Sequence, residues 1–233
     1  MANIKDDLHP IVLQELKNRL PIKPVSLQYP FPERPVRMLG LVKIDGEVFS
    51  SEKLSRAVFL RVSLPIYATV RSTFMRPRMD YDLPVFSSDI VITGKKRMAI
   101  IDIHRTGEST GHDDSELFDK LIKIKEKYPD LLEKTIIQKG KIQSVFSRSA
   151  LKVKITEELD DQVISLFKEY FNVFTEMIDN ARPLSGDALN KIKQAYEEYL
   201  ITIVDHDPGM KGYKLIYGEK EGVERSMNIH FEQ

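Results

Sequence analysis

The chain contains no cysteine among its 233 residues. This absence excludes disulfides, thiolate nucleophiles, cysteine-ligated zinc and an iron–sulfur cluster held by the protein's own side chains. Any redox chemistry therefore needs an external source of electrons. The sequence also lacks an apolar run of about 18 residues, and its first ten residues, MANIKDDLHP, are acidic where a signal peptide needs a basic start. We therefore expect a cytoplasmic protein without a membrane span.

Net charge is also lacking, since 35 basic side chains balance 35 acidic ones. Such a protein has no overall field that selects nucleic acid or a membrane, so a charged partner must be met by a local patch. With 42% hydrophobic residues, the composition is that of a globular protein. Neither composition nor an internal repeat divides the sequence, and we predict a single domain over residues 1–233.

Hydrophobic periodicity predicts an antiparallel sheet followed by helices. Period-two alternation begins at Val36, and we interpret Asp45-Gly46 as a hairpin turn and Gly94-Lys95-Lys96 as the turn of a second hairpin. Five or six strands are expected before a helix capped by Asp113, Asp114 and Ser115. A sheet whose faces are covered by helices is an α+β sandwich. The other predicted strands are Ala57–Val62, Ile66–Met75 and Ser149–Ile155, and the other predicted helices are Ile11–Leu20, Leu117–Tyr128, Val163–Ile178 and Leu189–Ile203.

An aspartate interrupts the most informative stretch, DLPVFSSDIVITGKKRMAIIDIH, from Asp82 to His104. Asp89 stands at the mouth of an otherwise apolar hairpin, followed by Ile90, Val91 and Ile92. A carboxyl group on the covered face is partly desolvated, which favours its protonated form. Asp89 is therefore a candidate proton donor, although a strand-start carboxylate that faces water or a backbone amide is the alternative.

Two blocks of sequence, in order, resemble the ferredoxin-dependent bilin reductases. The first is P-x-x-x-Y-D-L-P-V-F-S-S-D-I-V from Pro77 to Val91, followed by a strand that ends A-I-I-D-I. The second is a helix that ends at Asp207-Pro208, then Tyr217-Gly218-Glu219 and a terminal N-I-H-F. Together the two blocks are more specific than either one alone.

The resemblance implies a three-layer α/β/α sandwich, in which an open-chain tetrapyrrole, biliverdin IXα, lies between the sheet and the C-terminal helices. Electrons would arrive singly from reduced 2Fe-2S ferredoxin, with no flavin, nicotinamide or metal bound by the enzyme. The sequence agrees, since it has neither a G-x-G-x-x-G fingerprint nor a P-loop. The protein would then orient a protonated pigment and supply protons to radical intermediates. We expect a monomer, with a downstream bilin acceptor left open as a further partner.

The resemblance also carries residue roles. Asp89 matches the catalytic aspartate on the family's sheet, and Asp207 matches the helix-side aspartate of members that reduce biliverdin twice. Ser72 stands where the phycocyanobilin branch has histidine and the phycoerythrobilin and phytochromobilin branches have asparagine. The paired aspartates favour phycoerythrobilin as product, ahead of phycocyanobilin and phytochromobilin. The predicted substrate contacts are Ser72, Phe86, Ser88, Val91 and His104, and the candidate cations for the two propionates are Arg61, Arg148 and Lys211.

Three alternatives remain open. A carrier of the same fold would bind biliverdin without reducing it. Metal-dependent hydrolysis would use Asp89, Asp102, His104 and His206, although these lack H-E-x-x-H spacing. Asp207 could also serve only as a turn residue before Pro208.

Ferredoxins are strongly acidic, and two basic clusters are candidate docking faces: Arg76, Arg78, Lys95, Lys96 and Arg97, or Lys139, Lys141, Arg148, Lys152 and Lys154.

Overall fold

The computed structural model describes residues 4, 8–65, 68–107, 115–137 and 139–231. Within them, seven strands form one antiparallel sheet in which each strand pairs with its neighbour in sequence. The strands are β1 (Lys23–Pro24), β2 (Lys43–Ser50), β3 (Leu54–Leu64), β4 (Ala68–Pro77), β5 (Val85–Thr93), β6 (Lys96–His104) and β7 (Leu151–Thr156). The helices are α1 (Leu8–Arg19), α2 (Ser115–Glu126), α3 (Pro129–Leu132), α4 (Asp160–Asn180), α5 (Gly186–His206), α6 (Pro208–Tyr217) and α7 (Glu219–His230).

The sheet separates two hydrophobic cores, so the predicted sandwich with helices on both sides is confirmed. One core joins α1, α2 and α4 to strand residues such as Phe86 and Ile90. The other joins α5, α6 and α7 to strand residues such as Val58 and Phe74. Successive side chains of a strand point to opposite faces, and we name these the α4 face and the α5 face. Among the described helices, none combines the length and apolarity needed to span a membrane.

The α4 side holds the larger group of buried hydrophobic residues. The ring of Phe86 on β5 meets the rings of Phe167, Phe171 and Phe174 on α4 at centroid distances of 5.2–5.9 Å. A buried ion pair anchors the start of the same helix, since Arg97 Nε donates to Asp160 Oδ1 over 3.0 Å. Aromatic burial and this charge pair fix α4 against the sheet.

The predicted turn at Asp45-Gly46 is wrong, because both residues lie inside β2. Gly46 pairs with Leu60, and a Cβ atom at Gly46 would lie 2.5 Å from the carbonyl oxygen of Phe59. The glycine therefore permits a close approach of two strands instead of a turn. In the described residues six strands precede α2, as predicted, and the turn at Gly94-Lys95 is confirmed. The predicted cap residues Asp113 and Asp114, and the predicted strand start at Ile66, lie outside the described residues.

Candidate active site

Asp89 lies in the middle of β5, opposite Ser72 on β4 and Ile100 on β6. The prediction that it stands at the mouth of the hairpin is therefore wrong. Its side chain points to the α5 face and is open to solvent on one side, yet surrounding protein disfavours its charge. This desolvation raises the pKa of Asp89 to about 6, although a hydrogen bond from Ser72 favours the carboxylate.

Asp207 ends α5 and begins α6. Its Oδ1 accepts a hydrogen bond of 2.9 Å from the backbone N–H of Met210, and Pro208 takes the first helical position, where no N–H is needed. Burial raises the pKa of Asp207, while backbone hydrogen bonds from Met210 and Gly209 and the charge of Lys211 oppose that rise. Asp207 therefore serves as the predicted turn residue, and its carboxyl group also has a raised pKa.

The two carboxyl groups belong to one site. The negative charge of Asp207 contributes to the raised pKa of Asp89. In such a pair, the carboxylate that forms first repels the second negative charge and so opposes the second ionisation. One group comes from the sheet and the other from the start of α6, so they approach the intervening space from two layers. Two carboxyl groups with raised pKa in this arrangement can donate protons to a ligand between the sheet and the helices.

Three tyrosines of α5 and α6 form the helical side of this space. Tyr196, Tyr199 and Tyr213 are buried, and burial raises the pKa of each phenol, so all three stay neutral. The hydroxyl groups of Tyr196 and Tyr213 have no hydrogen-bond partner among the described residues, and the charge of Asp89 acts on Tyr213. These phenols were not predicted as site residues, because helical periodicity indicates a buried helix face but not an unpartnered hydroxyl.

His104 lies on the same face, at the end of β6. Its Nε2 is 3.3 Å from the Tyr199 hydroxyl, and its Nδ1 is 3.5 Å from Oδ2 of Asp102. Alternation places His104 and Asp102 on one face of β6, but Nδ1 has no hydrogen-bond partner among the described residues. Within the described residues no group of three His, Asp or Glu side chains is arranged to bind a metal ion, so the structure gives no support to the metal-dependent hydrolase.

The strand register divides the predicted substrate contacts. Ser72 and Val91 share the α5 face with Asp89, since Val91 is two residues further along β5. Phe86 and Ser88 have the opposite parity, and they are 0% and 2% exposed against the α4 layer. The prediction that Phe86 and Ser88 contact a ligand beside Asp89 therefore disagrees with the structure, because alternation turns both away.

The predicted cations separate as well. Arg61 pairs with Arg71 and has the parity of Phe59, which belongs to the α4-side core. Arg148 is held by Asp119 of α2 through a hydrogen bond of 2.7 Å. Neither arginine points into the space between Asp89 and Asp207, so both predictions are corrected. Lys211 is exposed and acts electrostatically on Asp207.

Both predicted docking clusters contain buried members. Arg76 is 1% exposed and Arg97 is 3% exposed, because they serve the interior as partners of the Phe231 carbonyl and of Asp160. Lys152 is also buried, with its ammonium 2.8 Å from Gln143 Oε1. These three side chains cannot form a docking surface. The first predicted cluster therefore keeps three of its five basic residues, and the second keeps four of five.

Comparisons with known proteins agree with this architecture. Residues 10–225 match the family model described as ferredoxin-dependent bilin reductase. A 15,16-dihydrobiliverdin:ferredoxin oxidoreductase from Nostoc punctiforme is 22% identical over 74% of this chain and 71% of its own length. A phycoerythrobilin:ferredoxin oxidoreductase from Gloeobacter violaceus is 23% identical over 88% of this chain and 85% of its own length. The crystal structure of tomato phytochromobilin synthase, in complex with biliverdin, matches 95% of this chain and 80% of its own with a TM-score of 0.81 and 19% identity.

The chain folds as an α/β/α sandwich. Its acid pair, Asp89 and Asp207, consists of two carboxyl groups with raised pKa that can donate protons. Since the family model covers most of the sequence, the chain belongs to the ferredoxin-dependent bilin reductase family. It is accordingly a bilin oxidoreductase of the ferredoxin-dependent class.

Proposed function

We propose that this protein reduces biliverdin IXα to phycoerythrobilin in two successive two-electron steps. The observation that carries the proposal is the pair of carboxyl groups with raised pKa, Asp89 on the sheet and Asp207 at the start of α6. The name of the relative from Gloeobacter, which refers to phycoerythrobilin, supports this product.

The proposed chemistry divides between partner and protein. Reduced 2Fe-2S ferredoxin supplies four electrons one at a time, and the chain binds no flavin, nicotinamide or metal. Four protons complete the two reductions, so each electron is added to a pigment that has been, or is about to be, protonated. Asp89 and Asp207 donate from the sheet side and from the helix side. A protonated pigment accepts an electron more readily than a neutral one, and radical intermediates follow from single-electron delivery.

The remaining side chains of the site would orient the pigment. The hydroxyls of Tyr196 and Tyr213 are buried without partners among the described residues, so a ligand with hydrogen-bonding groups at its edge would satisfy them. Ser72 holds the carboxyl of Asp89, and exposed Lys211 is positioned to attract a propionate. A monomeric state and a cytoplasmic location stay predictions of the sequence.

A single two-electron reduction is the second candidate. The two curated relatives described above carry the names of different bilins, 15,16-dihydrobiliverdin and phycoerythrobilin, and each name is compatible with one step of a divided reaction. In that case only one of the two aspartates would be required for turnover of the true substrate.

Anaerobic reduction with purified protein tests both candidates. Biliverdin, reduced ferredoxin and an electron-regenerating system are mixed with enzyme, and the products are followed by absorbance and separated by chromatography. We expect loss of the biliverdin band, transient radical absorption and accumulation of phycoerythrobilin. Accumulation of dihydrobiliverdin alone supports the second candidate. Binding of biliverdin without turnover would refute both and favour a carrier.

Three variants then assign the roles. Asp207→Asn should stop the reaction at the dihydro product, and Asp89→Asn should slow the reaction at a different stage. Asp205→Asn is the matched control, because Asp205 is an exposed carboxyl two residues from Asp207. Wild-type kinetics in both site variants would remove the proposed proton donors.

A further inference from the structure

Three polar groups lie in a line on the α5 face, where Asp102 and His104 of β6 share one side of the sheet and Tyr199 of α5 packs against it. Asp102 is 0% exposed and accepts hydrogen bonds from the backbone N–H and the hydroxyl of Ser147. His104 follows, with Nδ1 3.5 Å from Asp102 Oδ2 and Nε2 3.3 Å from the hydroxyl of Tyr199. This order of carboxylate, imidazole and phenol is suited to move a proton along one direction.

The direction of the last hydrogen bond depends on the charge of His104. A neutral imidazole with its proton on Nδ1, toward Asp102, accepts the Tyr199 O–H at Nε2. An imidazolium donates from Nε2 to the phenol oxygen instead, and the Tyr199 O–H is then free to point at a ligand. Among the described residues the Tyr199 hydroxyl has no other hydrogen-bond partner, so one protonation event determines what this phenol offers to the site.

Charged groups face the line from several elements. Arg76 of β4 and Asp207 act on the phenol of Tyr199, and Tyr196 of α5 stacks beside it at a centroid distance of 6.0 Å. At the other end, the charge of Asp102 acts to raise the pKa of Lys125 of α2 and of Lys152 of β7. The carboxylate of Asp102 therefore lies near two ammonium groups and accepts two hydrogen bonds from Ser147.

We propose that Asp102, His104 and Tyr199 form a relay that stores a third proton for pigment reduction and delivers it through the Tyr199 hydroxyl. The inference rests on the proposed function. In the delivery step, the imidazolium Nε2–H bond breaks as a new O–H bond forms at Tyr199, while the original phenol proton passes to the reduced pigment. The phenol is regenerated, neutral His104 remains, and reduced ferredoxin supplies the electron.

Proton stoichiometry explains why such a store is useful. A four-electron reduction consumes four protons, whereas Asp89 and Asp207 hold two at most. A donor that is buried and electrostatically paired retains its proton until the pigment becomes more basic on reduction. Asp102 lies on the far side of the imidazole from Tyr199, with its Oδ2 3.5 Å from His104 Nδ1.

Two variants that retain the shape of the site test the relay. His104→Gln keeps a hydrogen-bonding side chain but cannot titrate, and Tyr199→Phe removes only the hydroxyl. Each should slow decay of the protonated radical by about 100-fold, measured at saturating biliverdin so that a change in affinity does not enter the comparison. Each should also abolish one inflection in the pH profile of that decay. The double variant should be no slower than either single variant, since both interrupt one path. His206→Gln, which changes a histidine outside this line, is the control.

The outcomes are distinguishable. If wild-type protein does not reduce biliverdin, the proposed function fails and the relay falls with it. If wild-type protein reduces biliverdin while both variants retain its pH profile and decay rate, the relay alone is refuted. Lower thermal stability with an unchanged pH profile would assign His104 and Tyr199 a packing role and overturn the relay.

Discussion

Removal of one hydroxyl group should move the pH dependence of the reaction in a defined direction. The pKa of Asp89 rises from 3.8 to about 6 on folding. At pH 7 this rise increases the protonated fraction from about 0.06% to about 9%, roughly 150-fold more of the proton-donating form. The hydrogen bond from Ser72 limits the rise, because it favours the carboxylate. Ser72→Ala should therefore raise the pKa of Asp89 further.

The assay is single-turnover reduction of bound biliverdin between pH 5.5 and pH 8.5. Where protonation of Asp89 limits the rate, wild-type protein should lose about tenfold in rate per pH unit on the alkaline side of the midpoint near 6. Ser72→Ala should shift that midpoint upward and be faster at pH 7.5. Ser87→Ala is the matched control, because Ser87 lies two residues before Asp89 on the same face of β5 and does not contribute to the pKa of Asp89. A downward shift in Ser72→Ala, or a flat profile in wild-type protein, would refute the reasoning.

Other measurements test separate parts of the structure. Because the pKa of Asp89 is raised on folding, its ionisation opposes folding as pH rises from about 4 to about 6; Asp89→Asn should gain stability relative to wild type over that range in urea denaturation, and a constant difference would contradict this. Asp207→Ala loses the cap of α6 and should cost about 1 kcal/mol of unfolding free energy, while Asp207→Asn, which still caps, should cost less. Asp160→Ala leaves Arg97 buried without its main carboxylate and should cost about 3–5 kcal/mol, seen as a lower melting temperature, whereas a cost below about 1 kcal/mol would show that water reaches the pair. Gly46→Ala should lower the melting temperature, because its Cβ would meet a neighbouring backbone oxygen at 2.5 Å; a wild-type value would show that β2 and β3 can separate.

The fold was largely predictable because its signals are local. Apolar residues at helical spacing identified the two long helices, observed as Asp160–Asn180 and Gly186–His206. Alternation of apolar and polar residues identified most of the strands, because that pattern too lies within a short stretch of sequence. The turn at Asp45-Gly46 was the exception, since a glycine looks the same in sequence whether it makes a turn or permits another strand to approach.

The sequence by itself determined which residue types are present and which local elements they form: no thiol chemistry, an antiparallel sheet with helices, and two acidic residues in motifs of a bilin reductase. Tertiary structure alone decided which side chains share the site. The register of β4 and β5 brought Ser72 to Asp89, and parity turned Phe86 toward α4. Proximity across layers also brought Tyr199 to His104. Contacts of this kind depend on how elements stack, because residues remote in sequence carry no pattern that records their distance.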